Sequence, residues 1–216
     1  MNLGLLLAFD DEHAAATGLA AALALPIALV ARHRFPDGES RPVLPPVLPP
    51  RLLLFRGLQQ PNEKLVELPI TLPAARALGA REILLVCTYL TYIRQDMAFT
   101  PGKAVSQRHI AALLAAKVDG LITIDPHLHR IASLDELMPG CRSLALSAAP
   151  QLGAWVAQQG PGAFLLGPDE ESLRWVAAAG RGHGLDHAVC VKQRLDDRDV
   201  RVTLPDVALH GRAVVL

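Results

Sequence analysis

The feature that most restricts how this chain can fold is an alternation of short apolar runs with longer amphipathic segments. Residues 3–9, 27–31, 51–56, 82–88, 121–125, 143–146, 163–166 and 188–191 are too short for buried helices and rich in Leu, Ile and Val, so they read as strands. Between them, residues 11–25 (with Asp10 as N-cap), 62–78 (closed by Gly79), 105–117 and 169–179 carry helical spacing. Strands that are apolar along their whole length and joined by helical crossovers predict a mainly parallel sheet covered on both faces. Residues 41–50 break the pattern. Pro42, Pro45, Pro46, Pro49 and Pro50 cannot donate to a ladder, so the segment is an edge or an extended connection, with a Pro-rich docking peptide as the other reading. Residues 89–103 form a long connection, residues 134–139 an acidic segment stopped by proline, residues 200–204 a hairpin-like return, and residues 213–216 a last strand. Two successive αβ series predict two domains, residues 1–145 and 146–216.

Size and composition set the boundaries of function. A chain of 216 residues with 51% hydrophobic content and mean hydropathy +0.28 buries one sizeable core or two modest ones. Lys+Arg and Asp+Glu both number 21, so no global field recruits nucleic acid or an anionic membrane, and a phosphate site has to be built locally. Cys87, Cys141 and Cys190 are odd in number and lack a Cys-x-x-Cys pairing, which fits a reducing cytoplasm. The apolar stretch 14–31 is interrupted by Thr17, Gly18 and Pro26, and the N-terminus lacks the basic region and cleavage site of a signal peptide. The expectation is a cytoplasmic protein with neither a membrane span nor a nucleic-acid partner.

In open α/β sheets, ligands gather outside the carboxyl ends of the strands. Five segments have chemistry to offer there or beside it. In Arg34-Phe35-Pro36-Asp37-Gly38-Glu39, Pro36 fixes φ and Gly38 permits an unusual one. Phe35 is thereby offered for stacking, and Asp37 and Glu39 for hydrogen bonds from an exocyclic amine such as that of a purine, although an ordinary Pro-Asp-Gly turn reads the same way. In Tyr92-Ile93-Arg94-Gln95-Asp96, Arg94 either holds a phosphate or pairs with Asp96. Asp125-Pro126-His127-Leu128-His129 offers imidazoles to a metal or a phosphate, or is structural. Asp169, after Gly167-Pro168, is either an N-cap or an oxygen ligand for magnesium. Lys192 and Arg194, two apart in extended chain, point the same way and either neutralise a phosphate chain or sit on a solvated loop.

Taken together and in this order, these segments resemble the ribose-phosphate diphosphokinase family, which makes phosphoribosyl diphosphate. The resemblance spans almost the whole chain and implies two phosphoribosyltransferase-like αβα domains, the second incomplete at its C-terminus. It implies transfer of the diphosphoryl group of ATP to ribose 5-phosphate with release of AMP, in nucleotide biosynthesis. Phe35, Asp37 and Glu39 match the family's adenine turn, which a neighbouring subunit contributes, so a homo-oligomer is implied. Arg94 and Gln95 match the ATP-binding loop. His127 and Asp169 match the magnesium positions, and Lys192, Arg194 and His127 are the implied catalytic residues.

Two departures stand against the family pattern. Met97, Ala98 and Phe99 occupy positions that are often basic. The family's Asp-Asp-containing, Thr-Gly-rich loop for ribose 5-phosphate is expected directly after residues 213–216, so the stretch given is expected to be inactive by itself. The alternative is a catalytically silent homologue that binds nucleotide or regulates an active partner. A salvage phosphoribosyltransferase ranks last, because it has no reason to carry the Phe35 turn.

Overall fold

Strands that are apolar on both sides need cover on both sheet faces. The computed structural model describes residues 4–98, 100–194 and 199–216, with the backbone alone at residue 194. The chain divides into two compact units, Met1–Leu146 and Ser147–Leu216. In the first, β1 (Leu5–Phe9), β2 (Ile27–Arg34), β3 (Ser40–Val43), β4 (Arg51–Phe55), β5 (Glu82–Cys87), β6 (Gly120–Ile124) and β7 (Arg142–Leu146) form one sheet. Its order is β3-β2-β1-β4-β5-β6-β7, parallel throughout except for the antiparallel pairing of β2 with β3.

Alternate residues of each central strand go to opposite cores, as a period of two requires. Leu7 and Phe9 of β1 and Leu52 and Leu54 of β4 join Leu68 and Leu72 of α2 (Pro61–Ala77), Ala111 and Leu114 of α3 (Ser106–Ala115), and Leu134 and Leu137 of α4 (Leu134–Leu137). Leu6, Ala8, Leu53 and Phe55 turn the other way, against Ala16 and Ala20 of α1 (His13–Ala22). Each fully buried leucine in these layers contributes roughly 1.5–3 kcal/mol, so the continuous apolar runs are the main support of the sheet.

Three local features differ from, or refine, the sequence expectation. The first helix begins later than residue 11, because Asp10–Glu12 form a 3₁₀ turn. Asp10 does not cap the helix; its Oδ1 accepts from Arg32 Nε at 2.7 Å and from the Asp11 N–H at 2.9 Å. The proline-rich stretch does supply an edge strand, with Pro42 opposite Arg32 in the outermost position, where a missing N–H costs no ladder bond. Helix α2 runs through Pro69 and Pro73, held by the burial of Glu67, Leu68, Thr71, Leu72 and Ala75. It ends before Gly79, whose φ of +120° and lack of Cβ let the Leu48 carbonyl approach.

The second unit contains α5 (Ala149–Gln159), β8 (Phe164–Gly167), a 3₁₀ turn Glu170–Ser172, α6 (Leu173–Gly180), β9 (His187–Val189), β10 (Val191–Arg194), β11 (Val200–Thr203) and β12 (Val214–Val215). Strands β12, β8 and β9 are parallel in that order, and β10 and β11 form a separate antiparallel hairpin. The single strand expected at residues 188–191 is divided at buried Cys190, whose N–H donates to the Gly167 carbonyl at 2.9 Å. Helix α5 has no counterpart in the sequence expectation. It buries Ala149, Gly153 and Val156, and Gly153 is where the Ala179 carbonyl of α6 lies so close that a Cβ would overlap it. Among the described residues, no helix is long and apolar enough to cross a membrane.

Candidate nucleotide and phosphate site

Helices α1 and α2 leave adjacent strands β1 and β4 toward opposite faces, which makes the crevice between those strand ends the default ligand position of such a sheet. Here charged side chains fill it. Arg56, fully buried just after β4, places Nη1 2.5 Å from Asp11 Oδ1 and 3.3 Å from Glu12 Oε2. Its Nη2 donates to buried Glu67, and the guanidinium carbon lies 4.0 Å from the centroid of Phe9. Lys64 Nζ reaches Glu12 Oε1 at 3.3 Å and donates to the Gly57 carbonyl at 2.7 Å. Arg32 adds pairs to Asp10, Asp11 and Glu67. Sequence reasoning missed this network; its only signal was the acidic run Asp10-Asp11-Glu12 directly after a strand.

The ends of β5 and β6 carry two of the segments singled out from the sequence. After β5, Tyr92 is held in the left-handed region at φ +60°, a conformation that a bulky residue keeps only when its surroundings enforce it. The enforcement is visible: Tyr92 Oη donates to Asn62 Oδ1 of α2 at 2.6 Å, the adjacent Ile93 is buried, and Gln107 Nε2 donates to the Ile93 carbonyl at 3.1 Å. Gln95 Oε1 accepts from Ser106 Oγ, which ties the loop to the start of α3. Asp96, almost buried, takes its ion pair from Arg130 Nε at 3.5 Å. Arg94 is exposed and has no hydrogen-bond or ion-pair partner among the described residues.

After β6, Asp125 is also left-handed, at φ +43°, and its N–H donates to the Leu146 carbonyl at 2.8 Å. His127 Nδ1 and His129 Nε2 lie 3.0 Å apart, so one ring donates to the other. The Arg130–Asp96 pair thus joins the segment that carries His127 to the loop that carries Arg94 and Gln95.

The Phe35 turn is a closed hairpin tip at the sheet's edge. The Phe35 N–H donates to the Glu39 carbonyl at 2.8 Å, Gly38 takes φ +94°, and Asp37 Oδ1 accepts from the Glu39 N–H at 3.1 Å. Asp37 and Glu39 are exposed. Phe35 is half-buried, with Arg41 5.5 Å above its ring and His33 edge-on at 4.5 Å. A groove of about 690 Å³ lies beside the turn, between it and the Glu63, Val66 and Ile70 side of α2.

In the second unit, Asp169 serves as an N-cap: Oδ1 accepts from the Ser172 N–H at 3.2 Å in a reciprocal capping box. Its other oxygen, Oδ2, lies 3.5 Å from Lys192 Nζ on β10, so two of the singled-out residues meet here. The Arg194 side chain and residues 195–198 lie outside the described residues, as does Phe99.

Residues 5–117 match the model of the N-terminal domain of ribose phosphate pyrophosphokinase. A ribose-phosphate pyrophosphokinase from Methanopyrus kandleri is 34% identical over 201 residues, covering 92% of this chain and 68% of the relative. One from Halobacterium salinarum is 29% identical over 215 residues, covering 98% and 74%. The crystal structure of phosphoribosylpyrophosphate synthetase from Mycobacterium smegmatis superposes with a TM-score of 0.72 at 20% identity, covering 93% of this chain and 67% of that one. The mixed α/β fold with a largely parallel sheet is therefore shared with that structure.

Proposed function

The chain belongs to the ribose-phosphate pyrophosphokinase family, and on that premise we propose that it transfers the diphosphoryl group of ATP to ribose 5-phosphate, yielding phosphoribosyl diphosphate and AMP. The observation that carries the reading is the division of labour in the Tyr92–Asp96 loop. Asp96 is anchored by Arg130, which leaves the Arg94 guanidinium available to a phosphate at the strand ends. A guanidinium suits that task because its forked donors match phosphate oxygens two at a time.

In the transfer, the anomeric hydroxyl oxygen bonds to the β-phosphorus and releases its proton to solvent, while the bond from the β-phosphorus to the α–β bridging oxygen breaks and that oxygen leaves on AMP. Charge builds on bridging and equatorial oxygens, so positioned cations do more than a covalent nucleophile would. Lys192 and Arg194 supply that charge, and Arg94 and Gln95 hold the nucleotide. Phe35, Asp37 and Glu39 select adenine for a neighbouring subunit in a homo-oligomer. Asp37 retains one oxygen for this, since only Oδ1 is used within the turn.

His127 and Asp169 would hold magnesium. The fit rests on Asp169, whose Oδ2 is a hard oxygen outside the capping bond; few protein ligands suit an ion that keeps its waters and rides on substrate phosphates. The ion supplies neutralising charge on the triphosphate when bound.

The test is to supply the full-length protein with magnesium, ATP and ribose 5-phosphate and to measure AMP and phosphoribosyl diphosphate together. Equal amounts of both are expected. ADP in place of AMP would mean ordinary kinase chemistry and would end the proposal.

A further inference from the structure

We propose that Glu67 is a positioning residue for the adenine turn, an inference that rests on the function just given. Its carboxylate is buried inside α2, 1% exposed at the side chain, yet it points at three elements at once. Oε2 accepts from buried Arg56. Oε1 accepts from Ser40 Oγ at 3.2 Å and faces Arg32 Nη1 at 3.7 Å. Ser40 directly follows Glu39 and opens β3, and Arg32 lies on β2, so one carboxylate touches both strands of the hairpin whose tip holds Phe35, Asp37 and Glu39.

A buried charge in this place needs a reason. Well-packed apolar side chains of similar volume are often as stable as a buried ion network, or more so, while an ionic network fixes geometry through directional bonds. The hairpin needs such fixing. Among the described residues strand β3 pairs with β2 alone, and the tip side chains Asp37 and Glu39 are exposed, so polar contacts from α2 help to set the angle at which the turn leaves the sheet. Asp11, Glu12 and the Phe9 ring hold Arg56 from the other side. The network therefore transmits the position of the β1 and β4 strand ends through Arg56 and Glu67 to Ser40 and the turn. The exposed Arg34–Glu63 pair, one helical turn earlier on α2, braces the same hairpin more weakly.

The neutral isostere tests this without opening a cavity. In Glu67→Gln the network keeps Arg32, Arg56 and Lys64 facing Asp10, Asp11 and Glu12, so the fold is expected to persist. Steady-state kinetics on the full-length protein should show the KM for ATP raised roughly three- to tenfold, the scale of one lost hydrogen bond, with kcat changed less and the KM for ribose 5-phosphate unchanged. Discrimination of ATP against GTP should fall with it. Ser40→Ala removes only the bond on the hairpin side and should give the same pattern, smaller, with an unchanged Tm. It also decides the matter if the Gln variant does not fold. A wild-type KM for ATP in Ser40→Ala, or a loss confined to kcat and Tm in Glu67→Gln, would overturn the inference while leaving the function intact. A wild-type protein that releases no AMP overturns the function, and the inference with it.

Discussion

Arg130 Nε lies 3.5 Å from Asp96 Oδ2, and this pairing decides the status of Arg94. From sequence, Asp96 and Arg94 were each other's nearest opposite charge. In the fold, Asp96 turns inward to an arginine from the loop after β6, and Arg94 is left outward. The same pair gives the two strand-end loops a common brace, so the position of His127 is not independent of the loop that carries Arg94.

Arg94→Ala should therefore separate binding from stability. With no partner among the described residues to lose, the variant should keep the wild-type Tm, while ATP affinity falls by roughly 1.5–3 kcal/mol, the scale of hydrogen bonds to a charged group. Calorimetric titration with ATP and a thermal melt of the same sample check both halves. A lowered Tm at unchanged affinity would return Arg94 to a structural role.

Asp169 caps the 3₁₀ turn and, in the proposed function, also holds magnesium, and one substitution can divide the two. Asparagine caps as well as aspartate, so Asp169→Asn should preserve the 3₁₀ turn and Tm while activity drops and its magnesium dependence changes. Asp169→Ala should lose activity and about 0.5–2 kcal/mol of stability together. If the asparagine variant remains fully active, Asp169 is a cap and nothing more.

Lys192→Ala should lower kcat much more than it raises the KM for ATP, because charge placed on the transferring group matters chiefly in the transition state. Steady-state kinetics at saturating ribose 5-phosphate measure the split. Equal losses in both would remove Lys192 from the catalytic role.

Acid should destabilise the first unit through the amino ends of its strands. The Arg142 guanidinium, opposed by desolvation and aided by Arg51, holds the Glu82 carboxyl below its ordinary range. Burial pushes Asp119 up, but the Ile83 N–H at 2.7 Å and Arg76 at 2.9 Å outweigh it and leave that carboxyl lowered too. A folded-state pKa below the unfolded one stabilises above the unfolded value, near 4.5 for Glu82 and 3.8 for Asp119, and the contribution disappears as pH falls through the folded value. Urea midpoints from pH 7 down to pH 3 should drop, and Glu82→Gln should flatten that decline. An unchanged slope in the variant would show that the Arg51–Glu82–Arg142 cluster adds nothing.

Helix α5 supplies a packing test in the second unit. Gly153→Ala drives a methyl into the Ala179 carbonyl and should cost about 1–3 kcal/mol. Gly18→Ala, in the middle of α1 with nothing within 4 Å of the added Cβ, should instead gain about 0.5–1 kcal/mol. Denaturant melts of the two variants compare them directly.

These residues also mark where sequence is a good guide and where it is not. β1 and β4 were legible because their apolar runs are buried on both faces, and Leu52-Leu53-Leu54-Phe55 admits little else; β5 and β6 were legible as short apolar runs although one of their faces is only partly buried. Helix α5 was not, because its pattern is inverted: the small residues Ala149 and Gly153 face inward while Leu152 and Trp155 are exposed. The strand-end segments were readable as candidates because polar residues directly follow apolar runs. Their partners were not, since Asp96 with Arg130, Tyr92 with Asn62 and Glu67 with Ser40 are contacts between elements distant in the chain, and no local spacing encodes them.

Pro42 closes the sheet on the hairpin side, and its position has a bearing on how such a molecule can change over generations. A strand that is outermost among the described residues can have its tip rewritten residue by residue without disturbing the parallel strands inside. If the tip selects the base as proposed, novelty in base preference is available to a lineage at small risk to folding, so long as the buried carboxylate beneath the hairpin is inherited unaltered.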